Sequence, residues 1–193
     1  GEDALLNEWW QNWRVHKPQA PAGEVYSETM LSVPVAGQRL VAKFDRVLVA
    51  NGKAWIFDWK TGRKKPEQAQ YAENWRTQIY RFVFAEAGAV LHGGRDFAPE
   101  DITLIYWHAQ YPQALRSIGY STAEHEEARR LISTAIASIA ALSDANDFPK
   151  TNDLDECRRC EFHTYCDRIS ARGAEWDIDE NEVDWYLIPE AEL

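Results

Sequence analysis

Two runs of β-branched, aromatic and aliphatic residues, 39–50 and 53–60, are separated by Asn51-Gly52. Asn-Gly is a favoured pair for a two-residue hairpin loop, because both loop positions need positive φ. Antiparallel pairing of the two runs follows from that turn, and the pairing decides which side chains share a face. A third run, 24–35, joins them through Ala36-Gly37, so a three-stranded meander is expected.

The meander carries charge where a buried sheet would not. Asp58 and Lys60 lie two apart in Trp55-Ile56-Phe57-Asp58-Trp59-Lys60 and point the same way, while Trp59 points to the other face. Asp45, near the end of the preceding strand, can converge on them. Two carboxylates can hold Mg2+ or Mn2+ and leave positions for water and a phosphate oxygen. Such a cation makes water a better nucleophile, and a lysine beside it stabilises charge developing on phosphate. An arbitrary Asp-x-Lys is more often a weak surface ion pair. Here it follows an apolar run and precedes Thr61-Gly62, where a buried strand emerges at its carboxyl end, a place where ligand sites collect.

Lys43-Phe44-Asp45-Arg46-Val47, Asp58-Trp59-Lys60-Thr61-Gly62, Gln78 beyond them and a cysteine cluster near the C-terminus together resemble the PD-(D/E)XK nuclease superfamily. The resemblance is to its RecB-like branch, which includes AddB-type and Cas4-like nucleases, and runs from about residue 24 to 168. It implies an α/β, restriction-endonuclease-like fold: a mixed central sheet flanked by helices, followed by a C-terminal cysteine-bearing cap. By position it implies Asp45 and Asp58 as metal ligands, Lys60 as the catalytic lysine and Gln78 as support for the site or the DNA. Glu28 resembles, more loosely, a metal-binding glutamate on the preceding strand. The implied activity is divalent-metal-dependent hydrolysis of DNA, as an exonuclease in repair, recombination or related processing. The implied partners are single- or double-stranded DNA and a helicase or recombination protein.

The chain departs from that pattern in places. Phe82 stands four residues after Gln78, where the family has tyrosine, with Tyr80 nearby but out of register. Ala42 takes a glycine position. The family's histidine in a Gly-x-x-x-His context has no counterpart at Gly1–Leu5, and His16 comes later, beside Lys17-Pro18. Either the site works without that histidine or an upstream segment carries it, and a chain that starts at Gly1 rather than Met agrees with trimming.

All three cysteines fall in Cys157-Arg158-Arg159-Cys160-Glu161-Phe162-His163-Thr164-Tyr165-Cys166. Closely spaced thiolates suit a metal or cluster. In the resembling nucleases such a trio joins one upstream cysteine around a [4Fe–4S] cluster, and the fourth ligand is not in this chain. With His163 the run offers three sulfurs and one nitrogen to Zn2+ instead; thiols without metal, or a disulfide, are the third reading. A secreted disulfide scaffold does not fit three cysteines without a signal peptide, so a reducing, cytoplasmic compartment is expected.

The formal net charge of −10 is unevenly placed: residues 174–193 hold eight acids and no Lys or Arg. Without that acidic tail the body is near neutral, so phosphate affinity would rest on local groups such as Arg63-Lys64-Lys65 and Arg158-Arg159, either of which is by itself an ordinary solvated run. No apolar stretch approaches the roughly 20 residues of a membrane span. The expected organisation is a core over 1–148, a cysteine cap over 149–173 and the tail.

Helices are expected over 2–15, closed by Pro18 and Pro21, over 66–87 between Pro66 and Gly88, and over 122–142 after a Ser121 or Thr122 cap. Tyr71, Trp75, Gln78, Ile79 and Phe82 recur as the inward stripe of the second. Residues 102–107 read as a buried strand parallel to an earlier one, with another strand through 114–119. His108 and His125 read as structural or exposed. Two alternatives to a nuclease stand beside it: a catalytically inactive nucleic-acid-binding domain on the same fold, and a zinc-stabilised interaction module whose acidic tail recruits a partner.

Overall fold

The structure, a computed structural model, describes residues 2–62, 71–72, 74–144, 149–153, 157, 160, 162 and 166. The chain divides into two units, Gly1–Ala141 and Leu142–Leu193. The first opens with helix α1 (Glu2–His16), followed by β1 (Glu24–Val35), β2 (Gln38–Ala50) and β3 (Lys53–Lys60). Helix α2 (Trp75–Ala87), β4 (Ile102–His108), β5 (Arg116–Ile118) and α3 (Thr122–Ala140) complete it.

The five strands form one sheet in the order β1-β2-β3-β4-β5. The β1–β2, β2–β3 and β4–β5 pairs are antiparallel, and β3–β4 is parallel. Both hairpin loops have positive φ at both positions, Ala36 (50°) with Gly37 (78°) and Asn51 (52°) with Gly52 (76°), as the primed turn geometry requires. The parallel pair needs a crossover, and α2 supplies it on the sheet face that holds Phe44, Ile56, Leu104 and Tyr106.

On that face α2 and α3 close the main core, with Phe82, Val83, Phe84, Ala128 and Ile132 buried against the sheet. Each of the larger side chains among them, Phe82, Val83, Phe84 and Ile132, contributes ~1.5–3 kcal/mol by leaving water. The other face carries Leu48, Ala50, Phe57 and Ile105. There Trp13 of α1 meets Trp59 and Trp107 edge to face, at 4.9 and 5.3 Å between centroids.

The inside-outside alternation of β1 and β2 reverses midway. Leu31, Val33, Val35, Ala42 and Phe44 line the main core, yet so do Val47 and Val49, with Tyr26 packed against them. A strand has period two, so the parity changes between 28 and 29 in β1 and between 44 and 45 in β2. The register is the same on both sides, Ser27↔Arg46 and Thr29↔Phe44. The change is accommodated at Glu28, whose φ is +52°.

Two expectations shift. The expected 66–87 helix is interrupted at Asn74: Tyr71 and Ala72 are helical, and Trp75–Ala87 starts anew where the Asn74 side chain caps it by accepting from Arg76 N at 2.8 Å. Residues 63–70 lie outside the described part. Trp75, expected inward, is exposed, and Thr77, Arg81, Phe82, Val83 and Phe84 are the buried ones. Among the described residues no helix is long and apolar enough to cross a membrane.

Candidate active site

One row across the sheet gathers the charged residues. Glu28 lies opposite Asp45, bracketed by the pairs Ser27↔Arg46 and Thr29↔Phe44. One step beyond the last β2–β3 pair, Arg46↔Phe57, the same register brings Asp45 to Asp58. Asp58 pairs with Tyr106, and Tyr106 with Arg116. The next row holds Lys60 opposite His108. Asp58, Lys60, Tyr106 and His108 share the face of Ile56 and Leu104, beneath α2.

Asp45 stands where the β2–β3 ladder stops. Its Oδ2 accepts the Trp59 N–H at 2.8 Å, so the side chain replaces the missing ladder bond and is fixed beside the Asp-Trp-Lys segment. Asp58 is only 2% exposed, and its Oδ2 meets Lys60 Nζ at 2.7 Å. A pair this buried survives because the ammonium offsets the carboxylate's desolvation. Lys60 Nζ also lies over the Tyr106 ring, 5.5 Å from its centroid.

These groups sense one another. Burial raises the Asp45 pKa above its ordinary value, and the charges of Asp58 and Glu28 push it further up against the Trp59 hydrogen bond and Lys60, which lower it. Tyr80 packs on Phe44 at 5.1 Å, and burial followed by the charges of Asp58, Asp45 and Glu28 holds its hydroxyl protonated well beyond the usual tyrosine range. Tyr106 is raised too, mainly by burial, although its hydroxyl shares a 2.8 Å hydrogen bond with Thr77 Oγ1. His108 is buried, and its Nε2 shares a 2.9 Å hydrogen bond with Tyr71 OH. Burial, then the charges of Lys60 and Arg116, lower its pKa to about 4.

The structure thus brings Asp45, Asp58 and Lys60 together. Gln78 is half-buried on α2, next to Thr77. Glu28 is on the row, but its carboxylate is exposed and pairs with Lys43 at 2.8 Å. His16 ends α1 on the tryptophan face, its carbonyl accepting from Trp107 Nε1 at 3.2 Å. Among the described residues no three His, Cys, Asp or Glu side chains converge as a ligand set. Asp45 and Asp58 offer carboxylate oxygens of the kind that could take part in holding a hard divalent cation such as Mg2+ or Mn2+.

In the second unit Cys157 is buried, and Cys160 and Cys166 are half-buried. Cys160 N donates to Cys157 O at 3.4 Å, and Lys150 Nζ to Cys166 O at 3.3 Å. His163, Arg63, Lys64, Lys65, Arg158, Arg159 and the acidic tail lie outside the described residues.

Tyr80, Tyr106, Thr77, Tyr71 and His108 were not singled out as site residues from the sequence. A signal for two of them was present. Once residues 102–108 are a strand parallel to the Asp-Trp-Lys strand, Leu104, Tyr106 and His108 fall on one face by alternation, beside Asp58 and Lys60.

No curated protein matches the chain. Among solved structures it is similar to SSO0001, at 18% identity over 86% of this chain and 68% of that one, with a TM-score of 0.43. It is also similar to a Eubacterium rectale protein provisionally named an exonuclease, at 12% identity over 80% of this chain and 63% of that one, with a TM-score of 0.42. The family model of the PD-(D/E)XK nuclease superfamily matches residues 2–167. With that match over most of its length, and with Asp45, Asp58 and Lys60 gathered on one sheet face, the chain belongs to the PD-(D/E)XK nuclease superfamily.

Proposed function

We propose that this chain is a divalent-metal-dependent deoxyribonuclease of the RecB-like branch, acting as an exonuclease on DNA. The observation that carries the reading is the buried Asp58–Lys60 pair with Asp45 held beside it by the Trp59 amide. The exonuclease part rests on the resemblance of the Asp45, Asp-Trp-Lys and Gln78 motifs to that branch.

Asp45 and Asp58 would hold Mg2+ or Mn2+, which supplies Lewis acidity toward a phosphate oxygen and acidity to water. Lys60, fixed on Asp58, offers its ammonium to a non-bridging phosphate oxygen, where charge grows during hydrolysis. Asp45 keeps its geometry through the Trp59 hydrogen bond, so the two carboxylates are set before DNA arrives. Gln78 supports the site from α2. The cysteines carry no step, since phosphodiester hydrolysis transfers no electron. Metal analysis reads their occupant: iron with sulfide and a brown colour for a [4Fe–4S] cluster, zinc without colour for the alternative.

The test is cleavage of end-labelled single- and double-stranded DNA with Mn2+ or Mg2+ by the parent, D58A and K60A. Each variant is expected to lose at least ~10²-fold in rate, and the label pattern gives polarity. A folded, metal-loaded parent that binds DNA without cutting it would assign binding without hydrolysis.

A further inference from the structure

Beside the Asp58–Lys60 pair lies a second pair that the nuclease motifs do not include. His108 is the ladder partner of Lys60 in the parallel β3–β4 pair, and both side chains lie on the α2 face. His108 is 3% exposed, and Tyr71 OH shares a 2.9 Å hydrogen bond with its Nε2. The Tyr71 ring also packs on Tyr106 at 4.4 Å between centroids, and Lys60 Nζ lies over that same Tyr106 ring. Tyr106 is held from beyond by Thr77. Lys60 therefore has Asp58 at its nitrogen, Tyr106 beneath it and the His108–Tyr71 pair on the adjoining strand.

We propose that His108 and Tyr71 are positioning residues for Lys60, fixing its ammonium on the Asp58 side of the site through the strand register and the shared Tyr106 platform. The inference rests on the nuclease reading above.

A lysine has four rotatable side-chain bonds, and one carboxylate contact leaves its ammonium free to swing. Restriction must come from what packs around the stem. His108 has Lys60 as its ladder partner and Tyr71 against its ring, and the charges of Lys60 and Arg116 both act on it. Burial first, and then the charges of Lys60 and Arg116, keep the imidazole neutral, so it can stand next to Lys60 without displacing it from Asp58. Tyr71 then stops the ring from turning. Misplacement of a catalytic group by about 1 Å can cost on the order of 10²-fold in rate, so a loss of this restraint should appear in turnover.

The experiment measures kcat and KM on end-labelled DNA with Mn2+, with thermal melts, for the parent, D58A, Y71F, H108L and H108Q. Y71F removes one oxygen atom and keeps the ring; H108L keeps volume and removes the hydrogen bond; H108Q restores an amide that Tyr71 can reach. Expected are kcat losses of roughly tenfold to a hundredfold in Y71F and H108L, an unchanged KM, and recovery of most of the rate in H108Q. An active parent and dead D58A, with Y71F and H108L turning over as fast as the parent, or losing only KM, or H108Q as slow as H108L, overturns the inference alone. An inactive parent or an active D58A overturns the nuclease reading and the inference with it. Should H108L fail to melt cooperatively, Y71F decides.

Discussion

Glu28 stands opposite Asp45 at the position where both strands of the β1–β2 hairpin exchange their inside and outside faces. The exchange is what lets Asp45 share a face with Asp58 while Phe44, its neighbour, remains in the main core. It requires a left-handed backbone at a non-glycine residue, φ +52° at Glu28. That conformation costs about 1–2 kcal/mol in any residue with a Cβ.

A glycine should therefore be tolerated better than alanine at this strand position, against the usual order. E28A and E28G both lose the exposed ion pair to Lys43, worth ~0–1 kcal/mol, so their difference isolates the backbone. E28G is expected to be the more stable by about 1 kcal/mol in urea unfolding. E28A equal to or above E28G would show that the strand relaxes.

Asp45 is expected to weaken the metal-free fold. Its folded pKa is raised, by burial first and then by Asp58 and Glu28, so the unfolded chain releases that proton first as pH rises past the ordinary 3.8. The fold is then penalised at neutral pH and not at low pH. D45N keeps an acceptor for the Trp59 N–H and removes the charge. It should melt above the parent at pH 7 in chelator, with the gap closing as pH falls toward 4. Mn2+ should raise the melting temperature of the parent more than that of D45N.

His108 sets a slope of the opposite sign. Burial, then Lys60 and Arg116, lower its pKa from 6.5 to about 4, so below pH 6.5 the unfolded chain takes up the proton first. Its contribution to stability is complete above that value and is lost as pH falls toward about 4. Thermal melts across this window should decline more steeply for the parent than for H108Q. Parallel curves would show that His108 is already protonated in the fold.

Thr77 tests the support beneath Lys60. It is fully buried and shares its hydroxyl with Tyr106. T77V preserves shape and leaves the Tyr106 hydroxyl buried without that partner, a cost of about 1–3 kcal/mol in urea unfolding. A difference below measurement error would show that the hydroxyl finds another acceptor.

The strands and turns were legible because alternation and Asn51-Gly52 are local signals, and 24–35, 53–60 and the Ser121 cap fall where they were expected. Asp45, Asp58 and Lys60 were legible because charge in an apolar run is conspicuous. The face exchange at Glu28 was not, since period two gives no notice of where it will be broken. Nor was the proximity of His108 to Lys60, which depends on the register of two strands separated by more than forty residues. Helix periodicity misjudged Trp75 because the Asn74 cap starts α2 there, leaving the indole on the first, open turn. Tyr80 lay out of step with the family tyrosine in sequence, yet it is the hydroxyl in the field of Asp58, Asp45 and Glu28, while Phe82 is buried in the core.

The segment between Asp58 and Lys60 has one further property. Trp59 gives its amide to Asp45, and its indole on the opposite face stacks with Phe57 and meets Trp13 and Trp107 edge to face. Neighbouring indoles held at near right angles couple their electronic transitions, so this trio should dominate the near-ultraviolet circular dichroism of the chain. Any rearrangement of Asp45 tugs on the peptide that carries one of those chromophores. Such a signal would gauge the carboxylates without a label and from the face of the sheet opposite to them.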